Sequence, residues 1–571
     1  MENAQIARIF DEIADLLELK GGNAFRVRAY QNAARTVRNL SERLEELVKN
    51  GEDLSKIPNL GESTAQKIAE IVQTGTCERL KELRQEVPSE LTELMKVPQL
   101  GPRKAMELHK ELNIDSLADL KKACEDHRLR DLKGYGPKTE ENILKGLDML
   151  KGTEDRFLYT IAMQHVESLL EYLKEAKTME RCEVAGSYRR GKDTIGDLDV
   201  LVQAGDRNKV IEHITAYPNL DEVLSKGQER VSVRLGGGMQ VDFRFVESSA
   251  FGAALLYFTG SKAHSVVLRK RAVERDWKLN EYGLHKDGNL LAGKTEESIY
   301  HRLNLSWIPP ELREDRGEVQ AAEQDALPKL VEMKDVRGDM HCHTNATDGS
   351  ATIEEMGQAA VDRGWQYLAI TDHSKAVRVA KGLDEKRLRK HAKNIRETGE
   401  KLKRIWLLAG IEVDILKSGE LDLVREALAD LDWVVASIHS YFKLRPAEMT
   451  KRLISAVESG VVHCLGHPTG RLIGKREPLE FDMEAVLQAC REHNVCVEIN
   501  AQPERLDLTD TYCKRAKELG VRVSLGTDAH KPNELDFLRL GINTARRGWL
   551  EKGDVVNTMT TKQLRSFLNK G

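Results

Sequence analysis

Several features that would place this protein in a membrane or among disulfide-rich secreted proteins are missing from its sequence. It has no apolar run long enough to cross a bilayer, and its first residues, 1–5, lack the basic and apolar regions of a secretion signal. Its 571 residues include only eight cysteines and no C-x-x-C pair, which argues against a disulfide framework and a thiolate zinc site. We therefore expect a protein of the reducing cytoplasm.

A strong excess of either charge is missing as well. The chain has 88 Lys and Arg against 92 Asp and Glu, which gives a formal net charge of −4. This balance does not by itself indicate a nucleic-acid-binding protein, yet it averages over domains, and acidic metal sites would conceal basic surfaces elsewhere. Because a chain of this length is too long for a single hydrophobic core, we expect several domains.

What the sequence does contain changes in character along the chain. Residues 1 to about 150 alternate amphipathic helical patterns with short Gly-containing turns, and the next part mixes helix and strand signals. The highly charged stretch 311–324 has almost no apolar periodicity and indicates a linker. After about residue 336, short apolar strands alternate with helical segments, which predicts a βα barrel or a doubly wound parallel sheet.

The most informative motif is a pair of aspartates one residue apart. Asp197 and Asp199 enter the apolar run 198–202, which predicts a strand, and side chains two positions apart on a strand share a face. The two carboxylates can therefore bridge two divalent cations. Asp242, in a second predicted strand at 241–245, is the candidate for a third carboxylate on a neighbouring strand.

A glycine-serine turn precedes these acids. Gly186 and Ser187 would present backbone N–H groups to phosphate oxygens, and Arg189 or Arg190 would add positive charge. Two carboxylates after such a turn are typical of a site that holds divalent cations against a nucleoside triphosphate.

Three similar turns recur in the helical N-terminal part, at 57–61, 97–101 and 132–136, and each leads into a predicted helix. They resemble helix-hairpin-helix motifs, in which a glycine turn presents backbone N–H groups to a DNA phosphate without reading the base. The alternative for any single copy is an ordinary helical hairpin. The residues that this resemblance assigns to DNA binding are Gly61, Gly101, Lys104, Gly136 and Lys138.

Together with the run 257–261, Tyr-Phe-Thr-Gly-Ser, the acids and the glycine-serine turn resemble the polymerase beta-like core of family X DNA polymerases. The resemblance implies that Asp197, Asp199 and Asp242 are catalytic and hold two Mg²⁺ or Mn²⁺ ions. It further implies contacts to the nucleotide from Gly186, Ser187, Arg190, Gly196, Tyr257, Phe258 and Gly260, and to the template strand from Arg269. Lys262 and Ser265 stand where the family has an acid and an amide, so base-pair checking is expected to differ.

The front helices match the same family's end-binding, lyase-like domain. Lys67 falls at the position of its Schiff-base lysine, and Arg26 and Arg79 match positions that bind a 5′-phosphate. Ser63 replaces a further lysine of that pocket. Lyase chemistry requires a lysine with a lowered pKa or a shielded site, and the alternative for Lys67 is an ordinary solvated helix lysine.

After residue 340, histidines and acids fall just past predicted strands, which in a βα barrel places them at the C-terminal face. Their order resembles the PHP domain, named for polymerase and histidinol phosphatase, which is a distorted βα barrel. The resemblance implies nine ligands for up to three Mn²⁺, Zn²⁺ or Fe²⁺ ions: His341, His343, Asp348, His373, Glu412, His439, His467, Asp528 and His530. Asp372 is a candidate supporting acid, whereas His391 and His463 lie outside the pattern and are expected to be structural.

We therefore predict a multidomain α/β chain: a helix-hairpin-helix region, a nucleotidyltransferase-type α+β polymerase core and a C-terminal PHP, TIM-like barrel. The predicted domains are an end-binding domain (1–85), a thumb- or fingers-like helical DNA-binding domain (86–152), a nucleotidyltransferase palm (153–240), the end of the palm with a nascent-base-pair-binding subdomain (241–312), a linker (313–335) and the PHP domain (336–571).

The predicted function is a bacterial family X DNA polymerase that fills short gaps in base excision repair and carries a metal-dependent 3′→5′ exonuclease, with cleavage at abasic sites as a further expected activity. We expect gapped or primed DNA and deoxynucleoside triphosphates as partners, a monomer, and a cytoplasmic protein that joins the nucleoid when on DNA. Two alternatives stay open at this point. The barrel is a small-molecule phosphoesterase carried beside a polymerase, or the whole protein is a DNA-end-binding scaffold with vestigial catalysis.

Overall fold

The structure, a computed structural model, describes residues 3–40, 44–57, 60–88, 91–95, 97, 100–132, 135–153 and 156–569. Across these ranges no helix is both long and apolar enough to cross a membrane. The chain forms two compact units, Met1–Arg156 and Phe157–Gly571.

The first unit is helical, as predicted from its amphipathic patterns. Ile6, Phe10, Ile13 and Leu17 recur at spacings of three and four residues, so one face of the first helix is apolar and is buried in the core of the unit. The helices described here are α1 (Asn3–Leu19), α2 (Ala24–Asn39), α3 (Leu44–Lys49), α4 (Glu62–Thr74), α5 (Glu78–Glu86), α6 (Leu91–Leu94), α7 (Pro102–Leu112), α8 (Leu117–Glu125) and α9 (Pro137–Thr153).

The second unit begins with a mixed α+β region. Its strands are β1 (Phe157–Leu158), β2 (Met179–Val184), β3 (Thr194–Ile195), β4 (Asp197–Ala204), β5 (Leu220–Lys226), β6 (Arg230–Leu235), β7 (Gln240–Phe245), β8 (Lys278–Asn280), β9 (Gly283–Lys286) and β10 (Asn289–Ala292). Its helices are α10 (Tyr159–Leu173), α11 (Gly186–Arg189), α12 (Arg207–Thr215), α13 (Phe251–Thr259), α14 (Lys262–Val273), α15 (Glu296–Arg302) and α16 (Glu318–Glu323).

A five-stranded sheet organises this region, in the order β2-β4-β7-β6-β5. Strands β4 and β7 run parallel, and the other neighbours are antiparallel. Alternate residues of β4, Leu198, Val200 and Val202, are fully buried in the same apolar cluster, so the intervening positions carry Asp197 and Asp199 on the opposite face. The apolar run after the acids thus forms the predicted strand.

The rest of the second unit is a seven-stranded parallel sheet in sequential order, β11 to β17. The strands are β11 (Gly338–Cys342), β12 (Tyr367–Ile370), β13 (Trp406–Asp414), β14 (Trp433–Ser437), β15 (Cys464–Leu465), β16 (Cys496–Asn500) and β17 (Val523–Gly526). The helices are α17 (Ile353–Asp362), α18 (Glu385–Leu402), α19 (Arg425–Leu428), α20 (Pro446–Val457), α21 (Met483–Glu492), α22 (Asp510–Leu519), α23 (Leu538–Arg547) and α24 (Thr561–Leu568).

The first and last strands of this sheet meet and nearly close it into a barrel. The backbone N–H of His343 donates to the carbonyl of Ala529 at 2.8 Å, and that of Asp528 donates to the carbonyl of His341 at 2.8 Å. Of the two architectures that the βα repetition allowed, the structure therefore has the barrel.

The charged segment at 313–335 differs from the polar linker expected there. It contains α16, and the side chains of Arg313 and Glu318 are fully buried. Glu318 is hydrogen-bonded to the ring of His264 at 2.6 Å, and Arg313 donates two hydrogen bonds to Glu296, at 2.6 and 3.0 Å. High charge without apolar periodicity is typical of linkers, but here the buried side chains of Arg313 and Glu318 each have hydrogen-bond partners, which the sequence pattern does not reveal. The five boundaries between the six predicted segments stay predictions.

We predict that Glu296→Gln destabilises the second unit by about 3 kcal/mol, because it leaves the buried guanidinium of Arg313 and that of Arg189 without their carboxylate partner. Urea unfolding followed by circular dichroism measures the change. Glu297→Gln, at the exposed neighbouring position, is the control and should leave the unfolding free energy unchanged. An equal loss in both variants would contradict the prediction.

The pH dependence of this contribution has a defined sign. Burial would raise the pKa of Glu296, but Arg313 and Arg189 hold it well below the ordinary value of 4.5. A carboxyl whose folded pKa is lowered stabilises the protein fully above its unfolded pKa and loses that contribution as pH falls towards the folded pKa. The stability difference between the wild type and Glu296→Gln is therefore full above about pH 4.5 and shrinks below it.

Candidate active sites

The three predicted acids of the five-stranded sheet lie together on two neighbouring parallel strands. Asp199 of β4 is directly opposite Asp242 of β7 in the strand register, and Asp197 lies two residues before Asp199 on the same face. Asp242 is buried, Asp199 is half-buried and Asp197 is exposed. The acids therefore extend from the sheet towards solvent.

Two arginines lie against these carboxylates. Arg244 Nε is 3.3 Å from Asp199 Oδ1, and Arg230 Nη2 is 2.6 Å from Asp242 Oδ2. Burial and the neighbouring charge of Asp197 raise the pKa of Asp199 to about 6. Burial would also raise the pKa of Asp242, but Ser232 and Arg230 lower it. Repulsion among clustered carboxylates is the condition that a divalent cation with oxygen ligands relieves, so the donor set fits Mg²⁺ or Mn²⁺.

The conformation of the turn before the acids requires a glycine at position 186. Gly186 has a φ of +64°, and a Cβ there would lie 3.2 Å from Asp199 Oδ2. Any other residue would be strained and would crowd the carboxylate. Ser187 is half-buried in the same turn, and the exposed Gly196 directly precedes β4.

The two arginines of the turn are each held by a glutamate and by Thr259. Arg190 donates from Nε to Glu314 at 3.0 Å and from Nη1 to the carbonyl oxygen of Thr259. Arg189 donates to the hydroxyl of Thr259 at 2.8 Å and to Glu296 at 2.7 Å. The structure therefore brings the turn and the Tyr-Phe-Thr-Gly-Ser run together through Thr259.

The aromatic run ends α13 beside the acids. The guanidinium carbon of Arg244 lies 4.1 Å above the ring of Phe258, so one arginine contacts both Phe258 and Asp199. Tyr257 packs edge-on against Phe258 and is 39% exposed, which leaves its ring available to a ligand. Gly260 follows with a φ of +67°.

On α14, Lys262 and Arg269 are exposed and Ser265 is half-buried. Arg269 Nε donates to the carbonyl oxygen of Ser265 at 3.3 Å. Their exposure is typical of a solvated helix face, and the template contact of Arg269 stays a prediction.

The three helix-hairpin-helix turns share one backbone hydrogen bond, although 58–59, 98–99 and 133–134 lie outside the described residues. In each turn the residue directly before the last glycine donates its backbone N–H to the carbonyl oxygen three residues earlier: Leu60 to Ile57 at 3.0 Å, Leu100 to Val97 at 3.0 Å, and Tyr135 to Leu132 at 3.1 Å. The glycine that follows directly precedes a helix in each case.

These glycines face open space. A Cβ at Gly61, Gly101 or Gly136 would meet no atom within 4 Å. Glycine is therefore not needed for internal packing, whereas it does allow a close approach of another backbone, as the phosphate-binding prediction requires. Lys104 and Lys138 lie in the first turns of α7 and α9, where they add positive charge.

The expected lyase residues are on the same unit. Lys67 donates to Ser63 within α4, at 2.9 Å to the hydroxyl and 3.2 Å to the carbonyl oxygen. Arg79 is paired with Glu82 at 2.7 Å, and Arg26 is exposed. Lys67 thus has a hydrogen-bond partner one helical turn away in α4. Its role in lyase chemistry stays a prediction.

In the barrel, the structure gathers the predicted histidines and acids past the C-terminal ends of the strands. Eight of the nine form three overlapping groups whose ligand atoms lie within 4.8 Å of one another. The groups are His343, Asp348, His373 and His530; His341, His343 and Asp528; and His373, Glu412 and His439. The ninth, His467, is hydrogen-bonded to Glu412 Oε1 at 2.9 Å.

The donor atoms of this cluster fit metal ions. His343 Nδ1 and His467 Nδ1 are buried and have no hydrogen-bond partner. His373 Nδ1 and Glu412 Oε2 are also buried and lie only 2.7 Å apart. Buried polar atoms are rarely left unpaired, and convergent imidazole and carboxylate donors are the ligands of Mn²⁺, Zn²⁺ and Fe²⁺.

Charge compensation within the cluster is strong. Burial would lower the pKa of His373 and His439, but the Glu412 carboxylate beside them raises these values to about 10 and about 9. Burial and the neighbouring His373 lower the pKa of His343. Cations bound here would compete with protons for the same imidazole nitrogens.

Sequence reasoning missed the residues that hold the candidate ligands in place. Glu498 Oε1 is hydrogen-bonded to His341 Nδ1 at 2.6 Å, and its Oε2 accepts the backbone N–H of His467 at 2.7 Å. Asp414 contacts His439 Nδ1 at 3.0 Å. An acid inside an apolar strand, as at 496–500, was the available signal, because a buried acid needs a partner.

The remaining candidates are structural. Asp372 is fully buried and accepts hydrogen bonds from Thr344 while contacting His391 Nε2 at 2.8 Å. It lies next in sequence to His373, and so supports the loop that carries it. His463 accepts the backbone N–H of Val434 and stacks on Trp433, and burial lowers its pKa to about 4.

A cavity of about 350 Å³ opens beside the barrel cluster, lined by Asp528, His530, Gln502 and Arg505 among others. Arg505 Nη1 is buried without a hydrogen-bond partner, and Nε lies 3.8 Å from Asp528 Oδ2. A cationic group with unused donors beside a metal-binding cluster suits an anionic ligand such as a phosphate.

Protein-family models match the chain in the same order as the structural regions. Those described as a helix-hairpin-helix domain and a SAM-like helix-hairpin-helix tandem match residues 1–77 and 91–148. The DNA polymerase beta palm matches 160–235, the DNA polymerase beta thumb 254–314, and the PHP domain 339–502. The thumb description thus falls on the region that we assigned to a nascent-base-pair-binding subdomain, and not on 86–152.

Similar proteins extend over the whole chain or over the barrel alone. A DNA polymerase/3′-5′ exonuclease PolX of Bacillus subtilis is 36% identical over 100% of both chains. A probable phosphatase of Vibrio parahaemolyticus is 33% identical over 42% of this chain and 95% of its own. A probable phosphatase of Aliivibrio fischeri is 30% identical over 41% of this chain and 94% of its own.

Proposed function

The chain belongs to the PolX family of DNA polymerase/3′-5′ exonucleases, and on that premise we propose that it fills short DNA gaps with one site and removes 3′-terminal nucleotides with the other. The observation that carries the proposal is the presence of two separate ligand sets in one compact unit. Asp199 and Asp242 face each other across two strands, and the barrel collects eight of nine predicted ligands into three overlapping groups.

At the polymerase site, Asp197, Asp199 and Asp242 would hold two Mg²⁺ or Mn²⁺ ions, which supply an activated primer hydroxyl and neutralise the triphosphate when bound. Ser232 and Arg230 lower the pKa of Asp242 and so favour its ionised form. A group that takes part in removing the hydroxyl proton must be ionised.

The nucleotide itself would be bound by the turn and the aromatic run. The backbone N–H groups at Gly186 and Ser187 and the positive charge of Arg190 bind the triphosphate. The ring of Tyr257, with Phe258 held in place by Arg244, lies against the sugar and excludes a 2′-hydroxyl.

At the barrel site, the nine ligands would hold up to three Mn²⁺, Zn²⁺ or Fe²⁺ ions, which supply a nucleophile from water and neutralise the scissile phosphate when bound. Glu498 and Asp414 orient the rings of His341 and His439. Arg505 binds a substrate phosphate in the adjoining cavity, where its Nη1 has unused donors.

The wider setting belongs to the same proposal. We infer base excision repair in a reducing bacterial cytoplasm, supported by eight cysteines that are all free. The hairpin glycines would clamp DNA on both sides of a gap, and Arg26 and Arg79 would bind a 5′-phosphate. Lyase chemistry at Lys67 and cleavage at abasic sites are proposed as accompanying activities, and the protein is proposed to act as a monomer.

A gapped duplex with a labelled primer tests the function directly. Incubation in Mn²⁺ with deoxynucleoside triphosphates is expected to extend the primer to the end of the gap, and incubation without them to shorten it from the 3′ end. If the protein binds the gapped duplex tightly but neither extends nor shortens the primer, the alternative of a DNA-end-binding scaffold would be established instead.

The similarity to two probable phosphatases over the barrel favours a second candidate, a phosphoesterase that acts on small molecules. Hydrolysis of single-stranded DNA and of simple phosphate monoesters should be compared under the same conditions. Faster hydrolysis of monoesters would favour this candidate, and faster release of nucleotides from DNA would favour the exonuclease.

Removal of divalent cations should stop both reactions. We expect prolonged treatment with a chelator to reduce extension and hydrolysis by about 10³-fold or more, because both sites depend on cations to neutralise phosphate charge. Mg²⁺ should restore extension, whereas restored hydrolysis should require Mn²⁺, Zn²⁺ or Fe²⁺. Hydrolysis that persists in the chelated protein, with no metal detected by mass spectrometry, would be inconsistent with the barrel assignment.

A further inference from the structure

The nucleotide-binding turn is contacted by a helix of the barrel. Gly191, at the end of the turn with a φ of +66°, packs against α23: a Cβ there would lie 3.5 Å from Asn543 Cβ and 3.7 Å from Arg547 Cδ. Arg547 Nη1 donates to the carbonyl oxygen of Arg190 at 2.7 Å. The barrel thus reaches the main chain of the turn that carries Gly186 and Ser187.

Arg547 also anchors a buried network of charges. Its Nη1 lies 3.1 Å from Glu314 Oε1, and its Nη2 donates to Asp510 Oδ2 at 2.6 Å. The same Glu314 oxygen accepts Arg190 Nε at 3.0 Å. Only 4% of Arg547 and 8% of Glu314 is exposed to solvent, so the interaction is poorly screened.

The cations around Glu314 favour its charged form. Burial alone would raise its pKa, but Arg547, Lys192 and Arg190 lower the pKa to about 2. Arg190 in turn donates to the carbonyl oxygen of Thr259, which separates Phe258 from Gly260. A continuous chain of contacts therefore runs from Asp510 in the barrel to the aromatic run of the polymerase site.

A network of this kind orients groups more than it adds stability. Two buried charges gain little net free energy over apolar residues of the same volume, but each fixes the position of its partner because an unpaired buried charge is costly. The positive charge of Arg190 is proposed to bind the triphosphate, and the position of Arg190 is determined by Glu314 and Arg547. The rigid placement of its guanidinium lowers the cost of ordering it when the nucleotide binds.

We propose that Arg547, a residue of the barrel, is a positioning residue for nucleotide addition, which acts by holding Glu314 and Arg190 and thereby the turn that receives the triphosphate. The inference rests on the proposed function, because the triphosphate site is part of it. It adds that this site is completed by the nuclease half of the chain.

The test is Arg547→Met in the full-length chain, which removes the guanidinium and keeps much of the side-chain volume. We expect the KM for the deoxynucleoside triphosphate to rise by about 10-fold or more with a smaller fall in kcat, because triphosphate binding depends on the orientation of Arg190. Hydrolysis of single-stranded DNA should stay within about twofold of the wild type. Arg547→Lys, which keeps the charge but loses the two-sided geometry, should be intermediate.

Arg539→Met is the matched control. Arg539 lies on the same helix, α23, and its exposed pair with Glu167 of α10, at 3.1 Å, joins the same two regions. It is not part of the buried network, so both activities and the nucleotide KM should be unchanged. Glu314→Gln is a second, isosteric test that removes the charge shared by Arg547 and Arg190, and it should raise the nucleotide KM as Arg547→Met does.

A readout without turnover separates this inference from the proposed function. Fluorescence anisotropy measures the affinity of a labelled deoxynucleoside triphosphate in Mg²⁺, and the affinity should fall about 10-fold in Arg547→Met. Nucleotide binding without incorporation by the wild type would refute the proposed polymerase while leaving the affinity test valid. An unchanged affinity and KM in folded Arg547→Met and Glu314→Gln would overturn the inference, as would a parallel loss of extension and hydrolysis.

Discussion

The double substitution Asp197→Ala, Asp199→Ala is expected to reduce nucleotide addition by about 10⁴-fold or more while hydrolysis from the 3′ end continues at close to the wild-type rate. The two carboxylates share one face of β4, and Asp199 lies opposite Asp242. Without them, a single buried acid remains to hold the cations that the triphosphate needs. Hydrolysis survives because its ligands are all on the barrel.

Primer extension on a gapped duplex and nucleotide release from single-stranded DNA measure the two outcomes. Asp221→Ala, an exposed acid on β5 of the same sheet, is the control and should leave both rates unchanged. Asp199→Asn keeps the shape of the side chain and its contact with Arg244 while removing a charged ligand, and it should also lose extension. Primer extension at the wild-type rate by the double variant would refute the assignment of Asp197 and Asp199 to nucleotide addition.

The converse pair, His341→Ala with His343→Ala, is expected to reduce hydrolysis by about 10³-fold or more and to spare nucleotide addition. Both imidazoles lie in the group with Asp528, and His343 is shared with the group of Asp348, His373 and His530. The substitution therefore removes donors from two of the three groups at once.

The measurement is again nucleotide release beside primer extension, with bound metal counted by mass spectrometry. His493→Ala, an exposed histidine of the barrel, is the control for the loss of an imidazole elsewhere in the domain. Because His341 and His343 are fully buried, circular dichroism should accompany the assay, and the smaller change His343→Asn should give the same selective loss. A fall in both reactions in a folded variant would show that the two sites are not independent.

The two halves of the chain are nonetheless physically linked. Arg547 ties the barrel to the glycine-serine turn at Arg190, and Arg471 of the barrel pairs with Asp193 at 3.1 Å. The selective loss of one reaction in the ligand variants is compatible with an effect of Arg547→Met on nucleotide affinity. The ligand variants remove groups that take part in a reaction, whereas Arg547→Met removes a group that positions Arg190.

Much of the fold, and the convergence of the candidate ligands, could be predicted because local rules govern them. An alternating apolar strand places Asp197 and Asp199 on one face whatever surrounds it, and the C-terminal ends of parallel strands converge, so that histidines at those ends meet. The three glycine turns repeat the same short-range hydrogen bond. Each of these features depends on residues close together in sequence, or on a topology that the order of elements already implies.

Long-range charge pairing could not be predicted in this way. Glu498, which holds His341, is 157 residues away from it in the chain, and Glu314 is 124 residues from Arg190. A charged side chain has the same pattern in the sequence whether it is solvated or buried with a partner, which is why the segment 313–335 was expected to be a linker although Arg313 and Glu318 are buried.

The sequence by itself determined the kinds of candidate ligand, their order and the family of the chain, because these follow from residue identity and from the periodicity of strands and helices. Only the tertiary structure decided which charges pair, namely that Glu412 lies between imidazoles, that Arg190 shares Glu314 with Arg547, and that a barrel helix contacts the glycine-serine turn. The physical reason is that a buried charge is fixed by whichever opposite charge the fold brings to it, and that choice depends on the packing of distant elements.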